Sequence, residues 1–321
     1  TATAAASSYL TRRGSLTSWN RVVVVSGDNF PDALSAASLA GSYTAPIILM
    51  PSDGSLPTVV KEWGLTKRDQ IQANSTLSAP FKLHVVGGTA AVPDAGIDAL
   101  LAVMNAGDLT PSTSTRTSGA NRAETAKNVA MLTNTAGANI VLAAAKEVFV
   151  ANQAGFADAM SIAPYAFLTG SPVLLTDGNS LSTEAKDVLV AYRKLGGVKA
   201  VVLGGTGAVS DTVVEQMVSA AGLPMSSISR IQGADRYATA AAVADTVATK
   251  TTFGTNPYNS RKSAILATGL DFADGLAAGQ IAAGLKMPIL LTDGNTLSAE
   301  TKAVLDSATY GIQRVYIIGV E

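Results

Sequence analysis

Pairs of arginines recur at a fixed spacing and have the chemistry to bind an anionic group. Arg116 and Arg122 lie in the segment RTSGANRAETA, and Arg230 and Arg236 lie in RIQGADRYATA. A guanidinium group pairs in a bidentate way with carboxylate or phosphate oxygens. These four arginines are therefore candidate ligand-binding residues. The equally weighted alternative is that they form ion pairs between copies of the repeat, for instance with a Phe-x-Asp carboxylate of the neighbouring copy.

A second recurring group is a Phe-x-Asp box that follows a short apolar run. Its carboxylates belong to Asp32, Asp158 and Asp274. An Asp at this place can accept hydrogen bonds from the free N–H groups of a helix N-terminus. It can also face a ligand, because ligands bind at the carboxyl ends of parallel strands. We favour the helix cap and keep the ligand-facing position as the alternative.

Two kinds of turn close the predicted strands. Thr-Asp-Gly and Gly-Gly-Thr are good turn sequences, and both offer hydroxyl or backbone N–H groups to a polar ligand such as a sugar. The glycine pairs lack the glycine-rich patterns of nucleotide sites, so a phosphate cradle is a weak signal. The further candidate binding residues are Thr176, Asp177, Thr292, Asp293, Gly87, Gly88, Gly204 and Gly205.

The sequence holds no recognisable catalytic constellation. It has no cysteine and a single histidine, His84, which we expect in the core or on the surface. A G-x-S-x-G elbow, an H-E-x-x-H pair and a D-x-D pair are all absent from the sequence. We therefore expect no enzymatic activity, no cofactor and no metal.

Charge and composition narrow the class of partner and the location. The formal net charge is -1, which gives no basic footprint for nucleic acid. No apolar run approaches the length of about 18 residues that a membrane span needs. Without cysteine there is no disulfide framework. Together with the abundance of Thr, Ser, Ala and Gly, this composition favours a secreted protein of a Gram-positive bacterium.

The elements that must position these residues follow from an internal repeat. The runs PIILM, PVLLT and PILLT recur after the Phe-x-Asp boxes, and such unbroken apolar runs are typical of strands buried on both faces. Predicted helices alternate with the strands, which indicates βαβ crossovers and parallel sheets. We therefore predict an α/β fold of three tandem flavodoxin-like or Toprim-like units.

The predicted units cover residues 1–115, 116–229 and 230–321. The first lacks its arginine box and the third ends at its last predicted strand, so we expect both to be truncated, at the N-terminus and the C-terminus respectively. The segment PSTST at 111–115 reads as an exposed connector between units.

Four boxes in fixed order, repeated along essentially the whole chain, resemble the type 2 cell-wall-binding repeat of Gram-positive surface proteins. They are R-x-x-G-x-x-R-x-x-T-A, F-x-D-A, P-I/V-L-L-T and V-V-x-G-G-T. The resemblance implies three Toprim-like units with pseudo-threefold symmetry, closed into a ring within a monomer. In that family the ILL part of the third box has been linked to anchoring; we interpret Ile47–Leu49, Val173–Leu175 and Ile289–Leu291 as buried strands instead.

The resemblance also implies a function at the cell surface. It is the non-covalent anchoring of a secreted protein to the cell wall through an anionic wall polysaccharide. Two alternatives remain open: a structural tile of an S-layer, and the non-catalytic targeting part of a wall hydrolase.

Overall fold

The chain alternates strands and helices from one end of the described part to the other. The computed structural model describes residues 21–72, 80–106, 111–135, 147–155, 157–196, 198–250 and 262–319. Phe156 of the second Phe-x-Asp box lies outside these ranges, as do the first 20 residues and the last two. What we expected of those positions stays a prediction.

Among the described residues, the first unit contains four strands and three helices. In chain order they are β1 (Arg21–Ser26), α1 (Phe30–Tyr43), β2 (Ile47–Met50), α2 (Thr58–Gln72), β3 (Lys82–Val86), α3 (Asp94–Met104) and β4 (Thr113–Thr117). The strands form one parallel sheet in the order β2-β1-β3-β4. Each connection is therefore a crossover that carries a helix over the sheet.

The second unit repeats this plan. Its elements are α4 (Arg122–Thr135), β5 (Glu147–Asn152), α5 (Ala157–Thr169), β6 (Val173–Thr176), α6 (Thr183–Lys194), β7 (Lys199–Leu203), α7 (Asp211–Ser219) and β8 (Ile228–Ile231). The parallel sheet has the equivalent order β6-β5-β7-β8.

The third unit has three strands among the described residues. Its elements are α8 (Arg236–Lys250), β9 (Ser263–Thr268), α9 (Ala273–Gly284), β10 (Ile289–Thr292), α10 (Ala299–Asp306) and β11 (Arg314–Ile318). They form a parallel sheet in the order β10-β9-β11. The predicted α/β class, with three tandem units of short parallel sheets, is confirmed.

The apolar runs after each proline are buried strands, as predicted. Ile48, Leu174 and Leu290 are at most 1% exposed. Such residues contribute to stability through the apolar surface that they bury, so their place in the structure is the core of each sheet.

The expected connector at 111–115 is wrong for most of its length. Residues Thr113–Thr117 form β4, which pairs with β3 and completes the first sheet. The segment T-S-T-R-T has no apolar alternation because β4 is exposed at Thr113 and Thr115 and is held by its backbone hydrogen bonds to β3.

Three helices pack together where the units meet. Helix α1 contacts α5, α5 contacts α9, and α9 contacts α1. Small residues allow the close approach: a Cβ on Gly41 would lie 1.8 Å from the Phe167 carbonyl oxygen, and one on Gly275 would lie 2.0 Å from Sδ of Met160. Each of these helices also contacts the second strand of the next unit, since α1 reaches β6, α5 reaches β10 and α9 reaches β2.

At the contact between α9 and β2, a buried glutamine side chain binds the backbone of the first unit. Gln280 on α9 is 0% exposed. Its Oε1 accepts the Ile47 N–H at 3.0 Å, and its Nε2 donates to the Ile47 carbonyl at 3.1 Å. The side chain thus satisfies both backbone groups of one residue on the edge strand β2, as a neighbouring strand would.

Helices α4 and α8 each hold two units together. Helix α4 packs against α1 of the first unit and also against β6 and α6 of the second. Helix α8 repeats this with α5, β10 and α10. The first sheet therefore ends at Thr117, the last residue of β4. Helix α4, which begins at Arg122, packs with the second sheet. One arginine box thus contributes a strand to the first sheet and a helix to the second unit.

His84 lies inside the first sheet and not in a cleft. Its side chain is 8% exposed in β3, with Nε2 2.8 Å from Thr117 Oγ1 and Nδ1 3.1 Å from Thr115 Oγ1. Burial, with a smaller contribution from the positive charge of Arg21, lowers the pKa of His84 from 6.5 to about 4. The imidazole of His84 is therefore neutral in the folded protein at pH 7.

We expect His84 to make the protein less stable in mild acid. The unfolded chain binds the proton below pH 6.5 and the folded chain only below about pH 4, so protonation favours unfolding between these values. The loss reaches about 3 kcal/mol once both states are protonated. Urea unfolding at pH 7 and at pH 4 should show that His84→Asn lacks this pH-dependent part. A histidine that titrates near pH 6.5 in the folded protein by NMR would contradict the expectation.

Candidate functional site

The first arginine of each box holds a loop inside its own sheet. Arg116, on β4, donates through Nη1 to the Gly87 carbonyl at 2.7 Å. Its Nη2 donates to the Val92 carbonyl at 2.9 Å and to Asp94 Oδ1 at 2.7 Å. The guanidinium therefore ties the loop after β3 to the first turn of α3.

Arg230 repeats these contacts on β8. Its Nη1 donates to the carbonyls of Gly204 at 2.9 Å and Val209 at 2.7 Å, and its Nη2 donates to Asp211 Oδ1 at 3.1 Å. By the predicted bounds, Arg116 and Arg230 open the second and third sequence copies, and Asp94 and Asp211 lie in the copies before them. Both ion pairs therefore join neighbouring sequence copies, although each lies within one sheet and its helices. Both side chains are engaged by protein acceptors.

The second arginine of each box lies at a junction between units and is exposed. Arg122 donates through Nη1 to the Gln153 carbonyl at 2.8 Å, and Arg236 donates to the Gly269 carbonyl. These carbonyls follow β5 and β9, at the carboxyl edge of the sheet. The spacing in the sequence did not distinguish the roles of the two arginines in a box. Only the fold shows that the first lies on a strand and that the second begins a helix.

The aspartates of the first two Phe-x-Asp boxes reach across the junctions. Burial raises the pKa of the Asp32 carboxyl above 3.8. A hydrogen bond with the Thr125 hydroxyl and the positive charge of Arg122 lower that pKa by less than burial raises it. Asp158 has the same relation to Thr239 and Arg236, and burial again raises its pKa. The carboxylate of one unit thus contacts the arginine box of the next.

The threonine of each box also fixes the loop that precedes its helix. Thr125 Oγ1 accepts the Gly119 N–H at 3.0 Å, and Thr239 Oγ1 accepts the Gly233 N–H at 3.1 Å. A Cβ on Gly233 would lie 2.3 Å from Cβ of Ala238, so the loop is closed tightly against its helix. The residues Thr125 and Thr239 were not among our candidates, although the recurring T-A ending of the boxes marked them.

The favoured helix-cap role of the aspartates is wrong for Asp32 and Asp274. The N-cap of α1 is Asn29 and that of α9 is Phe272, and neither makes a side-chain cap hydrogen bond. Asp32 lies within the first turn of its helix, where the neighbouring unit offers the Thr125 hydroxyl as a partner. A carboxylate in that turn still interacts favourably with the helix dipole.

Side-chain caps are found instead inside the arginine boxes. Asn121 Oδ1 accepts the Glu124 N–H at 2.8 Å, and Asp235 Oδ1 accepts the Ala238 N–H at 2.8 Å. The two junctions therefore use the same cap geometry with a neutral residue at one and an acidic residue at the other.

The first glycine of each Gly-Gly pair passes directly beside one of these carboxylates. Gly87 has φ of +114° and Gly204 has φ of +91°. A Cβ on Gly87 would lie 2.6 Å from Asp32 Oδ2, and one on Gly204 would lie 2.4 Å from Asp158 Oδ2. Backbone conformation and the carboxylate both require glycine here.

We expect Gly87→Ala to lower the free energy of unfolding by about 2–4 kcal/mol, since the methyl group meets both a positive φ and the Asp32 carboxylate. The matched control is Gly88→Ala, because a Cβ there would meet nothing within 4 Å. Thermal unfolding of the two variants side by side measures the difference. Equal stability of both would contradict the role of Asp32 in selecting glycine.

The Thr-Asp-Gly residues form turns at the end of the second strand. Thr176 Oγ1 donates to the Ser180 carbonyl at 2.7 Å, and Thr292 Oγ1 donates to the Thr296 carbonyl at 2.6 Å. Asp177 is exposed and accepts a hydrogen bond from the Gln153 side chain, whereas Asp293 accepts the Asn295 N–H at 3.0 Å. The two hydroxyls and the Asp293 carboxylate are thus used within the turns, whereas the Asp177 carboxylate binds a side chain from the loop after β5.

A cleft opens between the second and third units. It has a volume of about 400 Å³ and lies where Gly205, after β7, faces the arginine box of the third unit. Asp158, Arg236 and Thr239 line it, together with Asp235 at the rim of the box. The structure thus brings together five residues from three separate sequence motifs, of which Asp235 and Thr239 were not among the predicted site residues. The counterparts at the junction of units one and two are Asp32, Gly88, Asn121, Arg122 and Thr125.

The third junction is only partly within the described residues. Asp274 Oδ2 lies 3.4 Å from where a Cβ on Gly319 would be, which repeats the neighbourhood of the other two aspartates. Thr1–Ala6, whose sequence is similar to the end of an arginine box, lie outside the described part of the chain.

The described residues form neither a metal-ion cluster nor a membrane-spanning helix. Within the described ranges, no three His, Asp or Glu side chains cluster so that they could hold a metal ion. Nor is any helix in those ranges both long and apolar enough to cross a bilayer.

The chain is similar to curated proteins and to solved structures over most of its length. N-acetylmuramoyl-L-alanine amidase LytC of Bacillus subtilis is 27% identical over 287 residues, which cover 89% of this chain and 48% of LytC. Cwp8 from Clostridium difficile has a TM-score of 0.75 and 25% identity over 100% of this chain and 48% of that one. Cwp6 from the same organism has a TM-score of 0.76 at 24% identity, over 99% of this chain and 43% of its own, and shows the shared fold.

The chain thus spans about half the length of these relatives, or less. The model of cell wall binding domain 2 matches three consecutive segments, residues 1–96, 116–214 and 230–321. Each segment covers most of one α/β unit and together they cover most of the sequence, so the chain belongs to the cell wall binding domain 2 family.

Proposed function

We propose that this chain anchors a surface protein to the bacterial cell wall by non-covalent binding of an anionic wall polysaccharide. The observation that carries the proposal is the junction cleft, where an exposed arginine stands at the carboxyl edge of a parallel sheet. Ligands bind at this edge in open α/β sheets. With a net charge of -1, attraction of a polyanion has to be local, at Arg122 and Arg236.

The proposal includes several equivalent sites on one monomer. The junction residues of units one and two repeat those of units two and three, and the central helices contact one another in cyclic order. A ring closed within one chain would present its sites to successive repeats of a polymer. Individually weak sites then give strong retention, because each later contact forms within the same complex.

A location at the wall or cell surface follows from the family and from the wall proteins that the chain resembles. The match to part of LytC also supports a second role for this module, as the non-catalytic targeting part of a wall hydrolase. The two roles share the same wall-binding step and differ only in what is attached.

The test is retention on purified Gram-positive cell walls, before and after acid treatment that strips secondary polysaccharides. The protein should sediment with untreated walls and stay in solution with stripped ones. Equal binding to both would remove the polysaccharide from the proposal. A zymogram of this chain on peptidoglycan should show no clearing, and clearing would contradict a binding role without catalysis. Assembly into sheets without any wall would favour the S-layer tile.

A further inference from the structure

The charges inside the cleft between the second and third units are unfavourable for an anion. Two carboxylates, Asp158 and Asp235, line it against one guanidinium, that of Arg236. The Arg236 side chain already donates to the Gly269 carbonyl. A phosphate placed in the cleft would thus meet more negative than positive charge.

The remaining lining favours a polar and uncharged ligand. Apart from Thr239, it consists of glycine and alanine, which leave backbone groups accessible: Ala154, Gly155, Ala157, Gly205, Gly207, Ala208, Gly233 and Ala234. A volume of about 400 Å³ lies within the range of ligand pockets. Carboxylates such as Asp158 accept hydrogen bonds from hydroxyl groups, and these charge-assisted bonds are about twice as strong as neutral ones.

We propose that this cleft binds a neutral sugar ring through its hydroxyl groups, with Asp158 as the main acceptor, and that Arg236 contacts an acidic substituent outside the cleft. The inference rests on the proposed function and assigns the sugar ring and the negative charge of the polymer to different parts of the junction. The ring is recognised inside the junction, and the negative charge of the polymer is recognised at its rim. Gly205, which has no side chain, would then allow a sugar to approach the backbone closely, and it would not form a phosphate cradle.

The two junctions offer a matched pair of residues for testing the charge. Asp235 and Asn121 cap equivalent helices through the same hydrogen bond. Asp235→Asn should therefore keep the cap while it removes one negative charge from the cleft.

The first experiment follows backbone amides of Gly205, Gly207 and Gly233 by NMR in the full chain. We expect N-acetylglucosamine to shift these amides and glucose 6-phosphate to bind there about fivefold more weakly. Asp235→Asn should reduce that difference. Tighter binding of glucose 6-phosphate or inorganic phosphate than of N-acetylglucosamine would overturn the inference, as would the absence of any shift.

A second variant blocks the cleft without touching its charged groups. A Cβ on Gly207 would meet nothing within 4 Å, so Gly207→Phe should fold normally, as unfolding curves can verify, and fill the cleft. It should abolish the N-acetylglucosamine shifts and lower wall retention at least tenfold through loss of one site. The control is Ala303→Phe, which adds the same ring on the exposed side of α10.

The outcomes separate the two proposals. If the unmodified chain is not retained by walls, the proposed function fails. If walls retain the chain and Gly207→Phe equally well, the cleft is not the binding site and only the inference fails.

Discussion

Gly41→Ala should destabilise the folded chain by more than about 3 kcal/mol, the largest effect that we expect from a single methyl group here. A Cβ at this position would lie 1.8 Å from the carbonyl oxygen of Phe167 and 2.6 Å from its carbonyl carbon. These are backbone atoms of α5, so no change of rotamer relieves the contact. Helices α1 and α5 would have to move apart, and both belong to the central group of three.

The matched control is Gly279→Ala on α9. A Cβ there would make ordinary contact with Ala163 at 3.8 Å, and alanine favours a helix over glycine by about 1 kcal/mol. Urea unfolding should therefore show a large loss for Gly41→Ala and none for Gly279→Ala. Similar midpoints for both would mean that the central helices are not packed as closely as the structure shows.

Gln280→Leu should lower the free energy of unfolding by about 2–5 kcal/mol. Leucine has a similar size, but it leaves the N–H and the carbonyl of Ile47 buried without their partners. Each unsatisfied buried group costs about 1–3 kcal/mol. Because Gln280 joins α9 to β2, the loss should appear in the contact between the third and first units.

Amide hydrogen exchange measures this effect directly. In Gln280→Leu the Ile47 amide should exchange faster than in the unmodified chain, whereas amides of β6 should be unaffected. The comparison variant is Ser38→Ala, at the equivalent position of α1, where the hydroxyl donates only to the Ser35 carbonyl of the same helix at 3.2 Å. A Gln280→Leu variant as stable as Ser38→Ala would show that Ile47 finds other partners.

The sequence predicted those elements whose identity is decided by burial. The runs PIILM, PVLLT and PILLT are apolar because both faces of their strands are covered. Burial of both faces favours an apolar residue at nearly every position, which produces a continuous apolar run in the sequence. Strands β4 and β8, at the opposite edge of their sheets, show no such run, since they are partly exposed and are held by backbone hydrogen bonds that every residue type can make. The pattern therefore identified the covered edge strands β2, β6 and β10 and missed the exposed edge strands β4 and β8.

The candidate site was predicted as a set of residue types and not as an arrangement. The aspartates, the second arginines and the glycine pairs were all named from their recurrence. Which of them meet depends on contacts between units, such as Asp158 with Thr239, and no spacing within one copy contains that information. The helix-cap interpretation failed for the same reason, because a partner in the next unit was not visible from the local sequence.

The position of β4 and α4 bears on how the chain can be divided. Strand β4 belongs to the first sheet and α4 packs on the second, although both derive from one sequence motif. A fragment cut between 115 and 116 would split a strand in two and leave Arg116 apart from the Gly87 carbonyl that it holds. A fragment that contains a complete sheet with its arginine-bearing strand must therefore run past the end of one sequence copy into the next.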